Sequence, residues 1–213
     1  MELYTYFQSS ASYRVRIALN LKGLKAKEHY IDLTKGEQRS AEYGAINPAH
    51  IVPTLVDDGQ YLTQSLAIIE YLDEAYPDTG ALLPKGALIR AHTRSLALSI
   101  AADIAPLGNL KVRKYVSGQL GQSEEATVEF IKHWIADGLK SLEITLATSP
   151  YTGRFCVGDW PTIADCCLIP QLFNARRWKL DLSSYPTINR IAEACEAHPA
   201  FIAAHPSKQP DAK

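Results

Sequence analysis

The sequence predicts an α/β domain followed by an all-α domain. Three observations carry that prediction. Over the first eighty residues the apolar pattern switches repeatedly between a strand period and a helix period. Within that stretch, "VPTLVDDGQYLTQS" sets two β-rich runs around Asp58-Gly59, a pair that tolerates positive φ in a tight turn. Beyond residue 88 no strand pattern appears, and four stretches carry helical spacing.

Local signals justify each element. "ELYTYF", residues 2–7, is short, aromatic and alternating, as a strand should be. Residues 12–21 place Val15, Ala18, Leu19 and then Lys22 at helical spacing, and Gly23 supplies a C-terminal stop. "KEHYIDL", residues 27–33, reads as a second strand, and a short helix lies between it and the hairpin. Ser65 precedes "LAIIEYLDEAYP", an amphipathic helix that Pro77 ends. The order βαβ, short helix, ββα is the thioredoxin-like layout, and it occupies residues 1–80. Residues 77–88, "PDTGALLPKGAL", are rich in Pro and Gly without periodicity and read as a linker. Helices are predicted over 89–107, 124–148, 162–178 and 187–197, so residues 89–213 form the helical C-terminal domain.

Composition removes several function classes. Hydrophobic residues make up 46% of the 213, enough for a real core. A net charge of −1 argues against a general nucleic-acid binder. No apolar run approaches the roughly 18 residues that span a bilayer, so no membrane partner is expected. The N-terminus lacks the charged and apolar regions of a signal peptide. Cys156, Cys166, Cys167 and Cys195 form no C-x-x-C pair, which suits reduced, buried sulfur in a cytoplasmic protein rather than a disulfide frame or a metal site.

Three sites gather chemistry. "YFQSSASYRVRIALN" crowds Ser9, Ser10 and Ser12 against the start of the first helix, followed by Arg14 and Arg16. A helix N-terminus presents unpaired N–H groups and partial positive charge, so hydroxyls there either cap the helix or donate to a bound anion. "IVPTL" puts Pro53 at the entrance of a strand, where a cis peptide bond would turn the backbone of Val52 outward to pair with an extended peptide; the plainer alternative is an ordinary edge-strand proline. "TQSLAIIEYL" offers Gln64 and an N-cap Ser65 to a carboxylate, or simply caps the helix. In a thioredoxin-like order the three sites lie at the ends of neighbouring strands.

Two other features read as structural. Thr162 and Asp165 in "PTIAD" have capping-box spacing, which makes Asp165 a helix-start partner rather than a general base. Trp134, Trp160 and Trp178 read as packing groups rather than stacking platforms.

The motifs "SSASYRVRIAL", "NPAHIVPTL", "QSLAIIEYLDEAYP", "VGDWPTIADCCLIPQ", "NARRWKLDLSSYPTI" and "QPD" occur in order from about residue 2 to the C-terminus. Together they resemble the zeta class of glutathione transferases. The resemblance implies the glutathione transferase fold, glutathione as cofactor, a homodimer, and isomerisation of the small-molecule diacid maleylacetoacetate to fumarylacetoacetate in tyrosine and phenylalanine catabolism. It makes Ser9 the catalytic serine, with Ser10 as the other candidate for the sulfur. Ser9, Ser10, Ala11, Ser12, Tyr13 and Arg14 would line the glutathione cleft. Gln38, His50, Val52, Gln64, Ser65 and Asn109 complete the glutathione set. Arg177 matches the family's substrate-carboxylate arginine, with Lys111 and Arg176 as further candidates. The chain departs from the family at Gln8, where an arginine is usual, at Ala11, where a cysteine is usual, and at Ala105, where a polar residue is common. Maleylpyruvate is the alternative substrate: Gln8 argues against it, and Lys111 and Arg176 argue for it. A transferase or dehalogenase of small α-halo acids and a non-enzymatic module of the same fold are the other readings; the last loses ground because the serine is kept.

Overall fold

The computed structural model describes residues 1–212. They form two compact units, Met1–Leu83 together with Glu196 onward, and Pro84–Cys195. The boundary near residue 84 falls within the predicted linker. The helical domain, predicted to run to residue 213, instead stops at Cys195, and the chain from Glu196 returns to the first unit.

The first unit is built on a four-stranded sheet of order β2-β1-β3-β4. β1 (Glu2–Thr5) runs parallel to β2 (Lys27–Tyr30) and antiparallel to β3 (Thr54–Asp57), which pairs with β4 (Gln60–Thr63). The register aligns Leu3 with Leu55 and Leu55 with Leu62, and Leu3 and Leu55 are fully buried. In the hairpin turn Asp58 and Gly59 have φ of 46° and 72°, the two positive values a type I′ turn demands. α1 (Ser10–Lys22) is the crossover between β1 and β2, and Gly23 ends it in the left-handed region at φ 66°. α2 (Ala41–Ile46) is the predicted short helix, and α3 (Ser65–Ala75) buries Ile68, Ile69 and Leu72.

Both first strands are shorter than predicted. β1 stops at Thr5 because the carbonyl of Tyr6 turns to accept from Ser9 N–H at 3.0 Å. The buried Arg16 guanidinium then donates to the carbonyls of Tyr6 and Phe7 at 3.3 and 3.0 Å, replacing ladder partners. β2 stops at Tyr30 because Asp32 folds back on Thr34 N–H at 2.9 Å. The C-terminal segment supplies α9 (Pro199–Ala204), which packs on α1. Asn20 Nδ2 donates to the Ala200 carbonyl at 3.0 Å, Arg16 Nε to the Ala204 carbonyl at 3.2 Å, and Phe7 N–H to Asp211 at 2.9 Å.

The second unit is helical throughout. α4 (Ala87–Leu98) widens into a π-helical turn at Ser99–Ile104, then tightens to a 3₁₀ turn at Ala105–Gly108, so the predicted helix over 89–107 has three geometries in series. α5 (Leu110–Lys114) and a further π turn at Tyr115–Gln119 follow; no helix is predicted there, and elements this short show no readable period. α6 (Glu124–Thr148) is N-capped by Ser123, and α8 (Pro186–Glu196) closes the unit. α7 (Ile163–Arg177) opens with the predicted capping box. Asp165 is fully buried and accepts from the N–H groups of Cys156 and Thr162 at 2.8 Å each. Burial raises its pKa while these hydrogen bonds pull it back. Its place inside the unit confirms a structural carboxylate. All four cysteines are free and buried.

Candidate active site

In the first unit the site begins at the mouth of α1. Ser9 is the N-cap, with extended backbone, and its Oγ accepts from Ser12 N–H at 3.2 Å. A hydroxyl that accepts in this way still has its proton to donate, so capping and anion binding are compatible in one residue. Ser9, Ser10 and Ala11 are half-buried, open to an incoming group, whereas Ser12, Tyr13 and Arg14 face the interior. Tyr13 there lies under the guanidinium of Arg16 and edge-on to His205.

Arg14 joins this first helix to the third. It is only 3% exposed, and Nη1 donates to Ser65 Oγ at 3.3 Å. Its Nε and Nη2 are buried without a partner, as are Ser12 Oγ and Gln38 Oε1. Buried polar atoms are rarely left unmade. Gathered on residues of one unit, they are the donors and acceptors that a tripeptide with two carboxylates requires. The residues therefore fit glutathione.

The other residues of the expected glutathione set are spread over both units. The Val52-Pro53 peptide is cis, as predicted, and the Val52 side chain is buried against Tyr6 and Tyr43. His50 has φ of 55°, and its ring nitrogen meets the Gln38 carbonyl at 2.9 Å. Ser65, expected as an N-cap, is instead the first residue of α3. Gln64 holds the N-cap position, at φ 67° and with no side-chain capping bond. A non-glycine residue held at such a φ costs about 1–3 kcal/mol and persists where surroundings fix it, often at ligand sites. The arrangement leaves the α3 N–H groups uncapped by a side chain. Asn109 lies in the second unit, exposed at the start of α5.

The second unit holds a small cavity of about 40 Å³, lined by Ala105, Arg113, Gln171, Asn174, Arg177 and Trp178 among others. Arg177 is on its rim, donating to Asn174 Oδ1 at 3.4 Å. Lys111 and Arg176 are exposed and are not part of the lining. Arg113 is, although sequence reading passes over it. Its guanidinium sits 4.7 Å from the centre of the Trp178 ring. Three cations lie within "KVRK", and spacing alone gives no way to rank them. Trp178 thus packs against a side chain of its own unit, as expected. Trp134 and Trp160, expected to pack, are 38% and 53% exposed; Trp134 lies on the outer face of α6 beside His133 and Phe130.

A thioredoxin-like sheet whose first helix opens on a capping serine, followed in the chain by an all-helical unit, is the build of a glutathione transferase. The family model for the glutathione S-transferase N-terminal domain matches residues 8–75. A probable maleylacetoacetate isomerase of Vibrio cholerae is 45% identical over 212 residues, covering 99% of this chain and 97% of that protein. A solved maleylpyruvate isomerase, a bacterial glutathione transferase in the zeta class, is 42% identical with a TM-score of 0.97 and full coverage of both chains. A maleylacetoacetate isomerase of Methylobacterium extorquens AM1, solved with malonate and glutathione bound, is 43% identical with a TM-score of 0.96, again with full coverage of both. The chain belongs to the zeta class of the glutathione S-transferase family.

Proposed function

We propose that this chain is a glutathione-dependent cis–trans isomerase of a maleyl diacid, converting maleylacetoacetate to fumarylacetoacetate in aromatic amino-acid catabolism. The observation that carries the reading is Ser9, a cap whose proton is still available at a helix mouth, in a chain matched end to end by relatives named for this activity. When bound, glutathione supplies a thiolate that adds reversibly to an electron-poor double bond, which can then turn, and the cofactor is returned. The protein's part is to favour the anion, hold both molecules and exclude competing groups. Ser9 donates to the sulfur, with Ser10 and the α1 N–H groups beside it. Arg14, Gln64 and Ser65 meet the γ-glutamyl carboxylate, Val52 pairs with the cysteinyl backbone, and Gln38 and His50 complete the hold. Arg177 takes a substrate carboxylate, its planar fork matching two oxygens. We place the enzyme in the cytoplasm, in line with its free, buried cysteines, and as a homodimer, as the zeta-class resemblance implies.

The maleylpyruvate reading is favoured by one observation, the second arginine in the helical unit's cavity. Supplying each diacid with catalytic glutathione and following loss of the cis absorbance decides between them. The proposal expects faster turnover of maleylacetoacetate, with glutathione unconsumed. Stoichiometric loss of glutathione would make the chain a conjugating transferase instead.

A further inference from the structure

We propose that Arg113 is the second carboxylate-binding residue of the helical unit and sets its preference for dianionic ligands. The proposal rests on the isomerase reading only for the identity of the diacid. Three observations converge on one cavity. Arg113 lines it together with Arg177, so two guanidinium groups border about 40 Å³. The Arg113 guanidinium is held over the Trp178 ring at 4.7 Å, which orients it as a plane and removes much of its freedom to swing into solvent. Its Nε is buried with no hydrogen-bond partner. A buried charged donor without an acceptor is costly to leave unmade, so the site calls for an anion.

Gln171 supplies the independent pointer. It is 1% exposed, it lines the same cavity, and its Oε1 has no partner. Its amide presents an acceptor as placed and two donors when turned over. A carboxylate there would accept from Arg113 Nε, and from Gln171 once its amide is turned over so that the NH2 group faces the cavity. The apolar Ile104, Ile131 and Ile135 complete the walls, and they keep water from competing for the pair. Arg177 is exposed and takes one carboxylate at the rim. Arg113, half-buried, takes the other. A ligand with a single carboxylate reaches one of the two cations at a time.

The test uses maleate dianion as probe, titrated calorimetrically into the full chain without glutathione. Arg113→Gln should weaken maleate binding by about tenfold or more, the loss expected for one charge-assisted contact. Arg113→Lys should recover part of it, since a point charge replaces the fork. Lys114→Ala, on the same helix, should bind as the parent does. Butyrate, with one carboxylate, should distinguish parent from Arg113→Gln far less than maleate does. With the maleyl substrate, Arg113→Gln should raise KM while the KM for glutathione stays put. If the parent binds maleate through Arg113 yet isomerises nothing, the proposal stands and the isomerase reading falls. If the chain isomerises but Arg113→Gln binds maleate and turns over substrate as the parent does, Arg113 has no such role. Failure of maleate to bind the parent overturns it equally.

Discussion

A serine hydroxyl has one proton and two lone pairs, and Ser9 commits one lone pair to the Ser12 N–H. Two consequences of replacing it therefore separate. Ser9→Ala should lower stability by about 1 kcal/mol, the usual cost of a lost N-cap. It should also lower turnover by about one to three orders of magnitude, the range for a donor aimed at an anion. Glutathione affinity should change much less, because Arg14, Gln38, Gln64 and Ser65 remain. Denaturation curves and steady-state kinetics on one preparation check both effects. Full turnover in Ser9→Ala with loss in Ser10→Ala would move the role one residue along. On the helical side, Arg177→Ala should raise the substrate KM by about tenfold, Arg177→Lys should recover part, and Arg176→Ala should do little. An unchanged KM in the first with a large rise in the third would reverse the two roles. Single residues were legible when their signal was local. Gly23 and the Asp165 cap follow from neighbours a few positions away, and the cis Val52-Pro53 bond is the one of two readings that the thioredoxin-like order favours. Arg113 was not, because its stacking partner Trp178 comes from another helix.

Elements obeyed the same division. The hairpin and the starts of α6 and α7 carry their own punctuation, Asp58-Gly59 in one case and capping residues in the others. The path from α4 to the π turn did not announce itself, since a widened turn keeps the apolar pattern of a helix. What holds that turn is contact with α6. A Cβ built on Gly138 of α6 would lie 2.3 Å from two side-chain atoms of Ile104, which is itself 3% exposed. Only glycine allows this approach. Gly138→Ala gains up to about 1 kcal/mol of helix propensity and loses about 1–3 kcal/mol to overpacking. The expected outcome is a melting temperature lower by a few degrees. Ile104 also lines the cavity, so a shift there should reach the Arg113 site. A higher melting temperature would mean that Ile104 moves aside at no cost.

At the scale of the whole chain, the four thiols and the α1 mouth belong to different units. Ala11 leaves no cysteine at the α1 mouth, and Cys156, Cys166, Cys167 and Cys195 all lie buried in the Pro84–Cys195 unit. Burial pushes the Cys156 thiol well above its ordinary pKa, suppressing the thiolate that alkylating agents attack. Treatment with iodoacetamide, followed by its removal, should leave activity intact. Rapid inactivation that glutathione prevents would place a reactive cysteine at the site after all. Of the architecture, the α/β plus all-α order was readable because each half has its own period. The return of the last segment to the first unit was not. It depends on Arg16, Asn20 and Phe7 meeting residues near the other end of the chain, and no window of sequence contains both partners.

That return inverts the order in which the two units can be finished. Ribosomes deliver the amino end first, and domains generally fold as they emerge. Here the sheet and α1 appear early, yet the Phe7 N–H and two Arg16 and Asn20 donors wait for acceptors at Asp211, Ala204 and Ala200. The Pro84–Cys195 unit, made later, has all its own residues before those arrive. The loop that presents Ser9 is therefore among the last parts of the nascent protein to be locked, because its anchoring acceptors arrive only with the segment from Glu196 onward.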